Sequence, residues 1–355
     1  MFRRYLTSAL AALCLASPAP AKTRKAPAAP NYSCTGYICV DAATGKVLAE
    51  QSPDSASPPA SVTKLMTFLV ILDDFAAGTV KPSDMVTADK DAYNFLGTKA
   101  YLTVGEKHTY EQMLYALMVQ SANDGAVAIA KQEAGSTEAF VAKMNARAAS
   151  LGMARTRYTS PHGFPPGRSG RAPDMTSARD IATLAREILK RPEALRYTST
   201  KDYHFRDGPD SRKYLDNFAN HNKLLWSFSG CDGLKTGWSG DGASIATTAS
   251  RGGKRVIAVV LGGKVPTAQG TPEAKSSQAQ TRALAGRLME EGLAKLGVGG
   301  APATGFVGKS SGTVAPAGDE GDAPAAVPAG KGTAPAAVPA PAPGAPMLPK
   351  FDPGF

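Results

Sequence analysis

Between about Asn31 and Gly297, apolar and polar residues alternate with periods that predict a mixed helix and strand domain. Tyr37–Val40 and Lys46–Ala49 read as short strands flanking Asp41-Ala42-Ala43-Thr44-Gly45, a hairpin signal. A helix is expected to open around Pro58-Pro59, where proline suits the first turn, and to run through Leu72. Tyr110–Met118 and Ala126–Glu133 carry helical spacing and are separated by a polar break at Gln120–Gly125. Thr137 is expected to cap a helix ending near Gly152, and Thr176-Ser177 to start another that stops before Pro192. The texture then turns to strands at Gly233–Thr236, Ala243–Ser250 and Arg255–Leu261, joined by glycine-rich turns. A last helix is expected from about Glu273 to Leu296. Strands at both ends with helices between them imply an α/β (α+β) fold, an antiparallel sheet flanked by helices.

The two ends of the chain differ from this middle. Arg3 and Arg4 precede an apolar run, Tyr5–Ala16, followed by the small-x-small site Ala19-Pro20-Ala21. That order predicts a secretory signal peptide over 1–21, because the run is too short to span a bilayer. Cys14 does not read as a lipidation site, since the bulky Leu13 precedes it. Beyond Gly299 alanine, proline and glycine dominate, and Ala-Pro-Ala-Ala-Val-Pro-Ala occurs at 323–329 and again at 334–340. Such a composition cannot bury enough apolar surface to offset its ordering entropy, so 299–355 is expected to be a disordered tail.

Composition narrows the chemistry only a little. A hydrophobic fraction of 43% excludes wholesale disorder, and a formal charge of +10 suits an envelope polymer, a nucleic acid or plain solubility. No nucleic-acid motif supports the second of these. Cys34, Cys39 and Cys231 remain after signal cleavage, an odd number with no disulfide framework, and Cys39 reads as a buried strand residue. The cysteines and the four histidines, His108, His162, His204 and His221, show no metal-ligand spacing, so neither metal nor organic cofactor is expected.

Three short motifs carry the chemistry. Ser61-Val62-Thr63-Lys64 places a hydroxyl and an amine one helical turn apart on one face. A serine hydroxyl is a poor nucleophile until a base takes its proton, and a lysine serves as that base when burial and positive neighbours favour its neutral form. Ser121-Ala122-Asn123 lies in the polar break, where it offers a hydroxyl for proton relay and an amide for a peptide backbone, although a helix cap is the plainer reading. Lys235-Thr236-Gly237 lies on a strand; lysine and threonine can bind a carboxylate, and glycine lets a ligand approach. Each triplet alone is common. In this order, the first opening a helix, the second between helices and the third on a strand, they form a signature shared by class A β-lactamases and penicillin-binding proteins.

The chain resembles the low-molecular-weight penicillin-binding proteins, D-alanyl-D-alanine carboxypeptidases of the serine peptidase S11 family, over roughly 31–297. The likeness includes Pro59-Ala60-Ser61-Val62-Thr63-Lys64-Leu65-Met66-Thr67, Gln120-Ser121-Ala122-Asn123-Asp124, Asn220-His221-Asn222-Lys223-Leu224-Leu225, Asp232-Gly233-Leu234-Lys235-Thr236-Gly237 and Val259-Val260-Leu261-Gly262. It implies a β-lactamase/transpeptidase-like fold and a substrate that is a peptidoglycan stem ending in D-Ala-D-Ala. β-Lactams are implied as covalent inhibitors. Ser61 would form the acyl-enzyme with Lys64 as its base, Ser121 would pass a proton to the leaving D-alanine, and Asn123 would hold the substrate amide. Lys235 and Thr236 would bind the terminal carboxylate, and the backbone N–H groups of Ser61 and Trp238 would form the oxyanion hole. Many relatives have histidine after Lys-Thr-Gly, so Trp238 alters the pocket rim beside Gly237. Well-known relatives also carry a β-rich second domain and an amphipathic membrane helix; the residues after Gly299 have too little apolar pattern for either. An exported, periplasmic or wall-associated enzyme without a strong membrane anchor is therefore expected.

Three rivals share these features. A class A β-lactamase needs a glutamate between motifs two and three, and none occurs from Ala139 to Arg186. A DD-endopeptidase would use the same residues on a bulkier leaving group. An inactive scaffold has no need of three intact motifs. Two other matches are accidental: Gly308-Lys309-Ser310 lies in low-complexity sequence rather than in a phosphate-binding loop, and Gly237-Trp238-Ser239-Gly240-Asp241 lacks both the final glycine and the setting of a nucleophile elbow.

Overall fold

The computed structural model describes residues 33–166, 170–207, 211–212, 215–264 and 277–298. The expected signal peptide, the tail with its phosphate-loop-like segment, and the first residues of the last helix lie outside the described residues.

A five-stranded antiparallel sheet forms the backbone of the domain, in the order β2-β1-β9-β8-β7. Its strands are β1 (Gly36–Asp41), β2 (Val47–Gln51), β7 (Cys231–Ser239), β8 (Gly242–Arg251) and β9 (Lys254–Gly263). The central strand β9 is buried on both faces, which explains its unbroken apolar run Val256–Leu261. Ile257, Val259 and Leu261 face one cluster, with Ile38, Val40 and Ala246, while Val256, Ala258 and Val260 face the other, with Cys39 and Ile245. Helix α9 (Ser277–Lys295) covers the second face through Ala285, Leu288, Met289 and Leu293. Cys39 is fully buried there and, like Cys34 and Cys231, carries a free thiol.

The first face is covered by a larger helical layer around α1 (Lys64–Ala77). All residues from Lys64 to Leu72 are buried, so this helix is enclosed on every side rather than amphipathic. It extends beyond the expected end at Leu72 to Ala77, where the left-handed Gly78 caps it, and Asp73 is held by Arg147 and Arg191 where the helix reaches the surface. Around α1 pack α4 (Asn123–Ala134), α5 (Thr137–Ser150) and α6 (Ala178–Ile188). The cap of α5 is Ser136, whose hydroxyl accepts from Ala139 N; Thr137 is already helical, one residue off the expectation. Ser177 caps α6 as expected, accepting from Asp180 N.

Smaller elements escaped the sequence patterns. They are the hairpin of β3 (Met85–Thr87) with β4 (Lys107–Thr109), the helices α2 (Lys90–Asn94) and α7 (Ala194–Thr198), the hairpin of β5 (Asp202–His204) with β6 (Asn217–Ala219), and α8 (Leu224–Ser227). Tyr110–Met118 starts as α3 (Tyr110–Tyr115) and loosens into a π turn over Ala116–Gln120. The expected break at Gln120–Gly125 narrows to Ser121 and Ala122.

Candidate active site

Pro58 and Pro59 deliver the chain into one 3₁₀ turn, Ala60–Thr63, before α1 begins, so the helix opens later than the prolines suggest. In a 3₁₀ turn residues three apart eclipse one another. Ser61 therefore lies directly against Lys64, whose Nζ donates to Ser61 Oγ at 2.9 Å. The same fully buried Nζ reaches Asn123 Oδ1 at 2.6 Å and the His162 carbonyl at 2.8 Å. Ser61 itself is partly exposed.

The turn is held in a strained shape. Ala60 has φ 49°, a left-handed conformation that costs a non-glycine residue about 1–3 kcal/mol and needs surrounding structure to enforce it. That support comes from the loop at 159–163. Thr63 Oγ1 donates to Asp174 Oδ2 at 3.2 Å and Thr67 Oγ1 to the Pro161 carbonyl at 2.6 Å. Asp174 also accepts from Thr159 N and Ser160 N, at 2.6 and 2.9 Å. The loop closes so tightly that a Cβ on Gly163 would sit 1.9 Å from the Ala60 carbonyl oxygen.

The second motif follows the π turn. Ser121 is buried, has φ 67° and ends the turn, its N–H bonding to Ala116 O. Two residues on, Asn123 occupies the first position of α4 instead of capping it. Its Oδ1 accepts from Lys64, and its Nδ2 donates to the Leu96 carbonyl at 3.0 Å, which leaves the second amide N–H for another acceptor. Asp124, fully buried beside it, accepts from Ala100 N, Leu102 N and Gly125 N at 2.9, 3.1 and 2.9 Å. The two side chains together pin the 96–102 segment along the cleft.

The third motif lies on β7, an edge strand. Alternation sends Lys235 and Gly237 toward the helical layer and Thr236 and Trp238 to the other face. A Cβ on Gly237 would lie 2.7 Å from Pro59 O and 2.9 Å from Ser61 N, so this glycine is what lets the strand abut the serine turn. Lys235 is buried, with Nζ donating to Thr236 O at 3.1 Å. The loop Gly240–Asp241 between β7 and β8 has two residues, with Ser239 opposite Gly242. Ladder bonds alternate from that closing pair, which turns the backbone groups of Thr236 and Trp238 toward the free edge. Trp238 is half exposed.

Two histidines, set aside in the sequence for want of metal spacing, belong to this site. Burial, then the charges of Lys64 and Arg171, push His162 well below its ordinary pKa; its Nδ1 accepts from Phe164 N. Burial, then Lys235, Lys223 and Lys64, lower His221 to about 3. Both rings are neutral at pH 7. Asn222 Nδ2 fastens its segment to β7 through Gly233 O at 3.0 Å. The carbonyls of Leu96 and His162 were not foreseeable, because a main-chain acceptor carries no residue-type signal.

Comparison with solved structures places this fold among the penicillin-binding proteins and DD-peptidases. A point mutant of the Streptomyces K15 DD-transpeptidase superposes with a TM-score of 0.64 at 27% identity, covering 75% of this chain and 100% of that one. The carboxypeptidase DacD from Francisella tularensis matches with a TM-score of 0.63 at 25% identity, covering 77% and 73%. The sequence family model for D-alanyl-D-alanine carboxypeptidase, Peptidase S11, matches residues 23–265, and the chain belongs to that family. Among curated relatives, DacF of Bacillus subtilis is 35% identical over 64% of this chain, and DacC of Escherichia coli is 34% identical over 74%. This chain spans 57% and 64% of their respective lengths.

Proposed function

We propose that the protein is a serine-type D-Ala-D-Ala carboxypeptidase that removes the terminal D-alanine from peptidoglycan pentapeptides through an acyl-enzyme. The observation that carries this reading is the 2.9 Å contact between Lys64 Nζ and the Oγ of the partly exposed Ser61, where Asn123 and Gly237 of the other two motifs also meet. That separation is within reach for direct proton transfer.

In the proposed reaction the peptide's terminal carboxylate docks at the free edge of β7, between Lys235 on one face and Thr236 on the other. Ser61 Oγ attacks the carbonyl between the two D-alanines while Lys64 takes its proton. The tetrahedral oxyanion is held by the N–H groups of Ser61 and Trp238, donors of a kind whose individual loss costs about 3 kcal/mol. Ser121 passes a proton to the departing amine, and Asn123 offers its second amide N–H to the acyl chain. Water then hydrolyses the Ser61 ester. β-Lactams would acylate the same serine. The absence of glutamate between residues 139 and 186 supports slow release of that adduct.

The setting proposed is the exported one, with a leader over 1–21, a catalytic domain over 31–297 and an Ala/Pro/Gly-rich tail over 299–355. No helix among the described residues is long and apolar enough to cross a membrane. The test is D-alanine release from a pentapeptide ending in D-Ala-D-Ala. The purified chain should release one D-alanine per peptide and Ser61→Ala none; no release by the unaltered chain would refute the reading.

A further inference from the structure

Beyond the two lysines of the motifs, two more gather around α8, next to the segment tied to β7. Lys64 lies against Ser61, Lys235 follows on β7, and Lys223 stands two residues beyond His221, just before α8. Trp226 on α8 is nearly half exposed. Lys223 Nζ lies 4.9 Å from its ring centroid, and Lys201 Nζ, from the residue before β5, lies 5.7 Å from the same centroid. Neither ammonium is paired with a carboxylate among the described residues, whereas Lys131, Lys143 and Lys190 all are. The platform is fixed to the site, since Asn222 bonds both Gly233 O on β7 and Leu224 N at the start of α8. Asn220 N, in the same segment, donates to the Lys201 carbonyl at 2.7 Å, so Lys201 and Lys223 flank the segment that Asn222 ties to Gly233, two residues before Lys235.

An aromatic face with two cations and no counter-charge favours an anionic, partly apolar group. Lys235 already accounts for the carboxylate next to the scissile bond. We propose that Trp226, Lys223 and Lys201 form an outer subsite on the leaving-group side, which takes a second carboxylate of a leaving group larger than D-alanine, as in a peptide cross-link. This rests on the reading of Lys235 as the seat of the leaving group's own carboxylate. The chemistry is unchanged. The bond from Ser61 Oγ to the D-alanyl carbonyl forms, the amide C–N bond of the cross-link breaks, the leaving amine takes the serine proton, and water hydrolyses the ester.

The test uses the full chain and three substrates: a D-Ala-D-Ala pentapeptide, a cross-linked dimer with free carboxylates on the leaving strand, and the same dimer amidated at every carboxylate except the one beside the scissile bond. In the Lys201→Gln/Lys223→Gln double variant, kcat/KM on the free dimer should fall about five- to tenfold, as expected for two partly exposed ion pairs. On the amidated dimer and the pentapeptide it should change less than about twofold. Equal losses on both dimers, or none, with the pentapeptide still cut, would overturn the subsite alone. Failure of the unaltered chain to cut the pentapeptide would overturn it together with the carboxypeptidase reading. Unchanged penicillin labelling of the double variant controls for folding.

Discussion

Gly237→Ala isolates the contact on which the site geometry depends. The added Cβ would meet Pro59 O at 2.7 Å, Ser61 N at 2.9 Å and Ala60 Cβ at 3.1 Å, two of them main-chain atoms that cannot rotate away. Ordinary contact begins at 3.4 Å, so the strand or the serine turn must retreat by about 0.7 Å. Overpacking of this size costs about 1–3 kcal/mol, which leaves most domains folded. Its effect on chemistry should be larger, because a displacement near 1 Å at a reacting group can cost about 100-fold. We expect the second-order rate of acylation by a fluorescent penicillin to fall about 30- to 100-fold. Gly240→Ala is the matched control, since a Cβ there meets nothing within 4 Å, and it should stay within about twofold of the unaltered chain. Acylation of the Gly237→Ala protein within about threefold of normal would refute the claim that β7 and the serine turn are in mutual register.

Lys64→Met keeps the volume of the buried side chain but removes the contacts to Ser61, Asn123 and His162; acylation should drop at least about 1000-fold, and a smaller loss would argue for another base. Asp124→Ala strips the acceptor from three main-chain N–H groups and should cost about 2–4 kcal/mol in denaturant unfolding, with Asp124→Asn intermediate; an unchanged midpoint would contradict its anchoring role. Stability should also decline from pH 7 to pH 5. Unfolded histidine takes up protons near 6.5, whereas His221, lowered to about 3 by burial and Lys235, and His162, likewise lowered, stay neutral in the fold. Asp74, raised to about 6 by burial and Glu133, opposes this over the same range. His221→Gln should make the decline shallower, and an identical slope would show that His221 is not held neutral.

The parts of the site that depend on side-chain type and spacing were legible in the sequence. Ser61 and Lys64 meet as their separation implies, and Lys235 and Gly237 share the face that strand alternation assigns them. The sheet was legible because β1, β8 and β9 are buried long enough to show their period. Features built from main chain were hidden. The left-handed Ala60, the π turn before Ser121 and the carbonyls of Leu96 and His162 leave no residue pattern. The hairpins β3–β4 and β5–β6 have strands of three residues, too short to display alternation. Gly163 shows why: its requirement comes from Ala60, about a hundred residues away, and no local window contains both.

The identity of the nucleophile is tested most directly by trapping it. After brief incubation with a β-lactam, the protein should gain the mass of one intact drug molecule, and proteolytic mapping should place that mass on the peptide containing Ser61. Ser61→Ala should gain nothing. An adduct on any other residue, or an equal adduct on the Ser61→Ala protein, would contradict that assignment.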